Sequence, residues 1–325
     1  MEYRRLGRTG LKVSTICLGT MQFGWTTDEA QAHAVLNRAV EMGINFFDTA
    51  DVYSNWAEGN PGGVSEIQIG NWLSSGAVWR DRVVIATKAR GKMGDGPNDQ
   101  GLSRGHILSA VEASLRRLRT DYIDLYQTHW PDDETPLDET LRALDDLVRS
   151  GKVRYVGCSN YPAWLLAKSL WISDVGKLAR FDSLQPHYNY VHRAEFEREL
   201  QALCLDQGVG VIPYSPLGGG FLTGKYRRDT PAPESARAKG VRRRYMNEHG
   251  FAALDKLEEV GRGHDATIAQ TAIAWCLANP AVTSAIIGAN SVAQLEDTAR
   301  GAEVKLSAEE KAALDVATAW ESDDD

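Results

Sequence analysis

The stretch Gly43–Asn55 reads GINFFDTADVYSN. It decides the fold because it carries the chain from the end of a helix, through a strand, to a polar strand end. Before it, Asp28–Met42 has apolar residues at helical spacing, with Asp28 as N-cap and Gly43 closing the helix. Ile44–Asp48 is an aliphatic and aromatic run of strand length. It stops at Asp48, and Tyr53 follows five residues on.

Outward from this stretch the same unit recurs. Strand-like runs are Thr15–Gly19, Ile44–Asp48, Val83–Lys88, Tyr122–His129, Val153–Ser159, Ser183–His187, Val209–Tyr214 and Val282–Ile287. Helical patterns fill the gaps: Asp28–Met42, Ser65–Ser74, Arg104–Leu118, Leu137–Ser150, Ala163–Leu170 and Ala194–Gln207, then Ala252–Gly261 and Thr267–Asn279 before the last strand. Gly151 and Gly208 close their helices as Gly43 does. Strands alternating with helices imply a parallel sheet. A count of eight favours closure as a (β/α)8 barrel over an open doubly wound sheet. No G-x-G-x-x-G follows the first strand, where Gly19-Thr20-Met21 opens a loop without that spacing. Residues 1–14 alternate around Gly7-Arg8-Thr9-Gly10 and read as a β-hairpin. The expected fold is therefore α/β, a single TIM barrel domain over residues 1–325 with an N-terminal β-hairpin and a long loop after strand 7. That loop, residues 215–250, is rich in Gly, Pro and Arg and lacks clear periodicity, as lids and ligand-binding segments do. Glu321–Asp325 reads as an acidic, frayed end.

Composition narrows the function. The chain has 325 residues, 43% hydrophobic and 25% charged, with a net charge of −8. That balance argues against nucleic acid or an anionic membrane as a main partner, and leaves small-molecule ligands. Cys17, Cys158, Cys204 and Cys276 are far apart, with no Cys/His cluster at metal spacing. They read as small core residues in a reducing compartment, and no metal is expected. The start, MEYRRLGRTGLKV, has no apolar leader, and no run is long enough to span a membrane. A cytoplasmic protein is expected. Oligomeric state is not readable from the sequence.

In a barrel, chemistry sits at the C-terminal ends of the strands. Those ends supply Asp48 and Tyr53, Lys88 and His129 on three consecutive strands. Lys88 leaves an apolar strand and needs a counter-ion, for which Asp48 is the neighbour. A cation beside Tyr53 is expected to lower its pKa from about 10, towards a phenol able to exchange a proton with an alkoxide. His129 can orient the same oxygen. These groups move protons but provide no electrons, so a carbonyl substrate would need a hydride from a nicotinamide. Later strand ends suit such a cofactor: Ser159 and Asn160 in GCSN, Gln185 in SLQPH, and Tyr214, whose ring can stack on a nicotinamide. The loop PLGGGFLTGKY has the G-x-x-x-x-G-K spacing of a phosphate cradle, with Tyr226 where Mg²⁺-binding loops carry Ser or Thr.

With these residues in place, the chain resembles the aldo-keto reductases over essentially its whole length. The motifs are YRRLGRTGLKVS, LGTMQFG, GINFFDTADVY, IATK, SLRRLRTDYIDLYQTHWPD, GKVRYVGCSN, YSPL with LTGKY, and IIGANSVAQLED. GLSRGHI and the overall layout are closer to the bacterial branch related to potassium-channel β subunits. The resemblance implies reversible NAD(P)H-dependent reduction of aldehydes and ketones by a tetrad of Asp48, Tyr53, Lys88 and His129, with Tyr53 as general acid/base. It implies contacts to the cofactor from Thr20, Met21 and Asp48, a carboxamide held by Ser159, Asn160 and Gln185, and stacking on Tyr214. It further implies a pyrophosphate clamp from Ser215, Pro216, Leu217, Gly218 and Lys225, with Arg237 near the adenine end. Gly288, Asn290, Gln294 and Asp297 would hold the adenosine half. NADP(H) is the family's cofactor. Asn290 and Ser291 stand where related chains often carry Lys or Arg for the 2′-phosphate, which keeps NAD(H) open. The implied substrate pocket is Met21, Trp25, Tyr53, Trp56, His129 and Trp130. The run Arg242–Arg244 is either a solvated face or part of a lid. The alternative function is a cofactor-sensing subunit with little turnover; an isomerase is weaker, having no need of the adenosine motif.

Overall fold

The computed structural model describes residues 1–320 apart from 229, 232 and 236; the acidic end 321–325 lies outside the described residues. Among the described residues, ten strands form in two sheets. Strands β1 (Tyr3–Arg5) and β2 (Lys12–Ser14) make the antiparallel N-terminal hairpin. The other eight are β3 (Ile16–Gly19), β4 (Phe46–Asp48), β5 (Val84–Ala89), β6 (Ile123–Thr128), β7 (Val153–Ser159), β8 (Phe181–Gln185), β9 (Gly210–Val211) and β10 (Ala285–Gly288). They pair in parallel in the order β10-β3-β4-β5-β6-β7-β8-β9. The sheet closes where Val211 bridges Val282 and Ile286 N donates to Pro213 O at 3.0 Å. This is the (β/α)8 barrel that the strand count leads one to expect.

Most barrel strands are buried on both faces, as a parallel sheet covered by helices requires. One face packs under the helices. The other fills the barrel with Cys17, Phe46, Val84, Ala86, Leu125, Ile212 and Ile286. Leu6 and Val13 of the hairpin join that inner cluster and plug its floor. The strands' period of two then puts Asp48, Lys88, Gln127 and Gln185 above the apolar layer, at the mouth.

Helix boundaries follow the capping chemistry. Asp28 accepts from Gln31 N at 2.9 Å and starts Glu29–Glu41. Gly43 follows that helix with φ +80°, where a side chain would be strained. Three sequence readings are revised. Ala194–Gln207 is two helices, Ala194–Glu197 and Leu200–Gln207. The 215–250 loop holds a short 3-10 turn, Gly218–Thr223, and a helix, Ala238–Tyr245. Helices Val292–Ala299 and Ala308–Ala317 lie beyond the expected set. Among the described residues no helix is long and apolar enough to cross a membrane.

Candidate active site

Strand register brings the ionisable residues together. Asp48 lies beside Ala86, and Lys88 beside Gln127, so Asp48 and Lys88 project into the same inner layer. Lys88 is fully buried. Its Nζ donates to Asp48 Oδ1 at 2.5 Å, Thr49 O at 2.8 Å and Tyr53 OH at 2.9 Å. Three ammonium hydrogens meet three acceptors. Because an ammonium only donates, the Tyr53 oxygen accepts here, and its own proton is free for another partner. Asp48 is held as firmly: its Oδ2 accepts from Gln127 Nε2 at 3.1 Å and Gln185 Nε2 at 2.9 Å.

Lys88 pulls the Tyr53 pKa down as expected, but the expected net fall below the ordinary tyrosine value is corrected. Burial raises it, Asp48 adds to the rise, and Lys88 offsets only part, so Tyr53 sits above the ordinary tyrosine value. The resting group is a phenol. Lys88 itself is held above its ordinary value: burial opposes the charge, but Asp48 and Tyr53 outweigh it. His129 is pushed down to about 3 by burial and by the Lys88 and Arg90 charges, so its ring is neutral. The ring lies edge-on to Tyr53 with centroids 5.8 Å apart.

These residues open into a cleft of about 700 Å³, within the usual range for cofactor and ligand sites. Met21, Trp25, Tyr53, His129 and Trp130 line one end. Trp56 does not line the cleft; it is 44% exposed and packs edge-on to Trp25 and Tyr53 at 5.6 and 6.1 Å. Thr20 also lies away from the cleft: it is buried, and its hydroxyl donates to Asp48 O at 2.9 Å and pairs with Ser65 Oγ at 2.8 Å. Its hydrogen-bonding capacity is spent on fixing the end of β4.

The middle of the cleft is lined by Ser159, Asn160, Gln185 and Tyr214. Ser159 Oγ donates to Gln185 O at 2.8 Å. Asn160 Nδ2 donates to His129 O and Ser159 Oγ, and its Oδ1 accepts from Tyr214 OH at 2.9 Å. Asn160 is held at φ +61° and Ser215 at φ +54°, left-handed conformations that cost non-glycine residues of order 1–3 kcal/mol. Such strain persists where neighbours over-determine it, which locates a rigid frame at this point.

Ser215, Pro216 and Leu217 line the next part, with Gly219 and Gly220. Gly218 does not; it is buried, and a Cβ on it would lie 3.4 Å from the Tyr245 ring. Gly218–Gly220 all have positive φ, and a Cβ on Gly220 would come within 3.2 Å of Lys225 Nζ. Bare backbone therefore lies beside a cation. Arg237 lines the cleft, and its charge interacts with Tyr53. At the far end are Gly288, Asn290, Gln294 and Asp297. Asn290 Oδ1 accepts from Thr26 Oγ1 at 3.1 Å and Thr27 Oγ1 at 2.9 Å, leaving its NH₂ as donor. Asp297 Oδ1 accepts from Gln270 Nε2 at 2.8 Å. Arg242, Arg243 and Arg244 lie on the exposed side of helix Ala238–Tyr245, and the Arg244 charge reaches His187 and Tyr214.

An aromatic plate, a glycine segment beside a cation, and a far end rich in amides fit a dinucleotide. Two residues escaped the sequence reading. Gln127 braces Asp48, and a polar residue at an inward strand position beside Lys88 was the available signal. His187, read only as a strand end, stacks on Tyr214 at 5.1 Å with the rings 8° from parallel.

The family model described as "Aldo/keto reductase family" matches residues 15–319. An uncharacterized oxidoreductase, YrpG, of Bacillus subtilis is 41% identical, covering 95% of this chain and 93% of that protein. Versiconal hemiacetal acetate reductase of Aspergillus parasiticus is 38% identical, covering 95% of each. A probable voltage-gated potassium channel subunit beta of Arabidopsis thaliana is 35% identical, covering 94% of this chain and 92% of that protein.

Proposed function

We propose that this chain, which belongs to the aldo/keto reductase family, is a single-domain, cytoplasmic reductase of small aldehydes and ketones with Tyr53 as its proton donor. The family's general chemistry is NAD(P)H-dependent carbonyl reduction, and the chain is an oxidoreductase of that family. The observation that carries the finer reading is the orientation of the Tyr53 hydroxyl: its oxygen accepts from Lys88 at 2.9 Å, so its proton is available to the cleft.

A bound nicotinamide dinucleotide supplies the hydride. Tyr214 would face the nicotinamide, Asn160 and Gln185 its carboxamide, Gly219, Gly220 and Lys225 the pyrophosphate, and Asn290, Gln294 and Asp297 the adenosine half. Tyr53 gives its proton to the carbonyl oxygen as negative charge develops there. The phenolate that remains is met by the Lys88 ammonium without reorganisation. Neutral His129 donates a hydrogen bond to the same oxygen and orients it. Asp48, Gln127 and Gln185 keep Lys88 in place. NADPH is the cofactor the resemblance implies; Asn290, neutral and braced by two threonines, keeps NADH in contention.

The test is a titration of the protein with NADPH and with NADH followed by tryptophan quenching, then addition of 4-nitrobenzaldehyde with the reduced cofactor's absorbance recorded. Aldehyde-dependent loss of absorbance is expected, and Tyr53→Phe abolishes it. Turnover retained in Tyr53→Phe would remove Tyr53 from the acid role. The channel-subunit relative motivates a second reading, a cofactor-sensing subunit. It is favoured by tight binding of dinucleotide with no turnover.

A further inference from the structure

The cleft face of Tyr214 has a counterpart behind it. The peptide after β8 runs back beside the one carrying Tyr214: Tyr214 N donates to Pro186 O at 3.0 Å, and His187 and Tyr214 form a parallel bridge. Their rings stack 5.1 Å apart and 8° from parallel. His192 stacks on His187 in turn, at 4.1 Å and 27°. Three flat rings thus form a column whose inner end lines the cleft.

The column is fixed at several points. Tyr214 OH donates to Asn160 Oδ1 at 2.9 Å. Asn189 Oδ1 accepts from Val191 N at 3.1 Å, which turns its Nδ2 towards Ser215 O at 3.1 Å and His187 Nε2 at 3.4 Å. Tyr245 OH lies 3.4 Å from the same His187 nitrogen. The Tyr245 ring stacks on Phe221 at 5.6 Å and 28°, so His187 also touches the residue that packs against the 3-10 turn Gly218–Thr223. Burial, His192 and the Arg244 charge push the His187 pKa down to about 3, so an uncharged ring backs Tyr214 across the neutral range.

We propose that His187 is a positioning residue for dinucleotide binding: its ring backs Tyr214 and holds the tyrosine plane parallel to the nicotinamide it receives. This rests on the reductase reading of the cleft. A ring free to tilt about χ1 and χ2 would have to be ordered when the cofactor binds, whereas a ring already stacked meets that ordering cost in the folded protein. The column's contribution is flatness and bulk, not charge. The nitrogens of His187 are therefore less important than its ring.

The test compares wild type, His187→Ala and His187→Phe by tryptophan quenching with NADPH and NADH, with a thermal melt for each. His187→Ala is expected to raise the dinucleotide Kd by about tenfold, the scale of a lost aromatic stack. His187→Phe keeps a flat ring and should return Kd to within about threefold of wild type. A Kd in folded His187→Phe as weak as in His187→Ala overturns the proposal, and so does an unchanged Kd in His187→Ala. Should His187→Ala melt too early to titrate, His187→Phe alone decides, against wild type. Wild-type protein that binds neither dinucleotide overturns the reductase reading and this proposal together; binding that ignores His187 overturns only the latter.

Discussion

The two sides of the barrel mouth are built on different physics. On the β4–β6 side, Asp48, Lys88 and Gln127 are buried, and every hydrogen of the Lys88 ammonium has an acceptor. Order there comes from charge, fixed by short hydrogen bonds between buried groups. On the side that runs from β7 to the 3-10 turn after β9, Asn160, Ser215 and Gly218–Gly220 have positive φ, and flat rings stack. Order there comes from backbone shape and ring packing. The first side is suited to a step in which charge moves, because fixed dipoles and ions need no rearrangement. The second is suited to holding a large ligand, because shape selects without adding charge. Substitutions should therefore fail differently on the two sides.

The sharpest break is Lys88→Met. It leaves Asp48 buried with no counter-ion, which costs about 3–5 kcal/mol when one partner of a buried pair is removed. Denaturant unfolding should register that loss together with abolished turnover. Tyr53→Phe tests charge movement with the fold intact. Turnover is expected to fall by about 10²–10⁴, the range for a lost general acid, while the dinucleotide Kd stays within about threefold. A comparable loss of binding would erase the distinction between the two sides.

On the shape side, Gly220→Ala places a Cβ at φ +99° and 3.2 Å from Lys225 Nζ. The left-handed conformation should cost about 1–2 kcal/mol, and the dinucleotide Kd should rise by about tenfold with kcat at saturating cofactor little changed. Equilibrium titration and steady-state kinetics separate the two. The smallest effect concerns pH. His129 is neutral down to about pH 3, so kcat should show no histidine step between about pH 5 and 8. A kcat step near the ordinary histidine value would mean that His129 titrates as an exposed imidazole. Stability has a defined sign. The folded pKa values of His129 and His187 lie below the unfolded value of 6.5. Their neutral forms therefore favour the folded state above pH 6.5, and that contribution is lost as pH falls from there towards 3. Thermal melts across that window should show the decline.

The charge side was legible in the sequence because barrel topology puts consecutive strand ends on one face, and Asp48, Lys88 and His129 end consecutive strands. What the residues could not give was the direction of the Tyr53 shift, since burial outweighs Lys88 only once the ring is enclosed. Thr20 illustrates the same gap, a strand-end hydroxyl consumed by Asp48 O and Ser65. The shape side was harder. Helix Ala238–Tyr245 was hidden because Arg242–Arg244 dominate it and only Val241 and Tyr245 turn inward. Helices Val292–Ala299 and Ala308–Ala317 had readable starts, an N-cap at Ser291 and a capping box between Ser307 and Glu310. Stacking of His187 on Tyr214 depends on pairing between segments 27 residues apart, which no local pattern encodes.

The plug in the barrel floor has a consequence in time. The hairpin's Gly7 lies so close to the backbone of Asp182, Gly208 and Gly210 that a Cβ would sit 2.6–2.7 Å from their atoms. Arg4, near the chain's start, donates to Leu277 O at 3.1 Å and Val282 O at 2.8 Å. Arg4 thus finds its final partners only when the last barrel strand is being made. At about 5–20 residues per second, that is a wait on the order of ten seconds to a minute. Until then, the leading segment has no floor to seal and Arg4 has no carbonyls to hold. The barrel can close only once Ala285–Gly288 has been made.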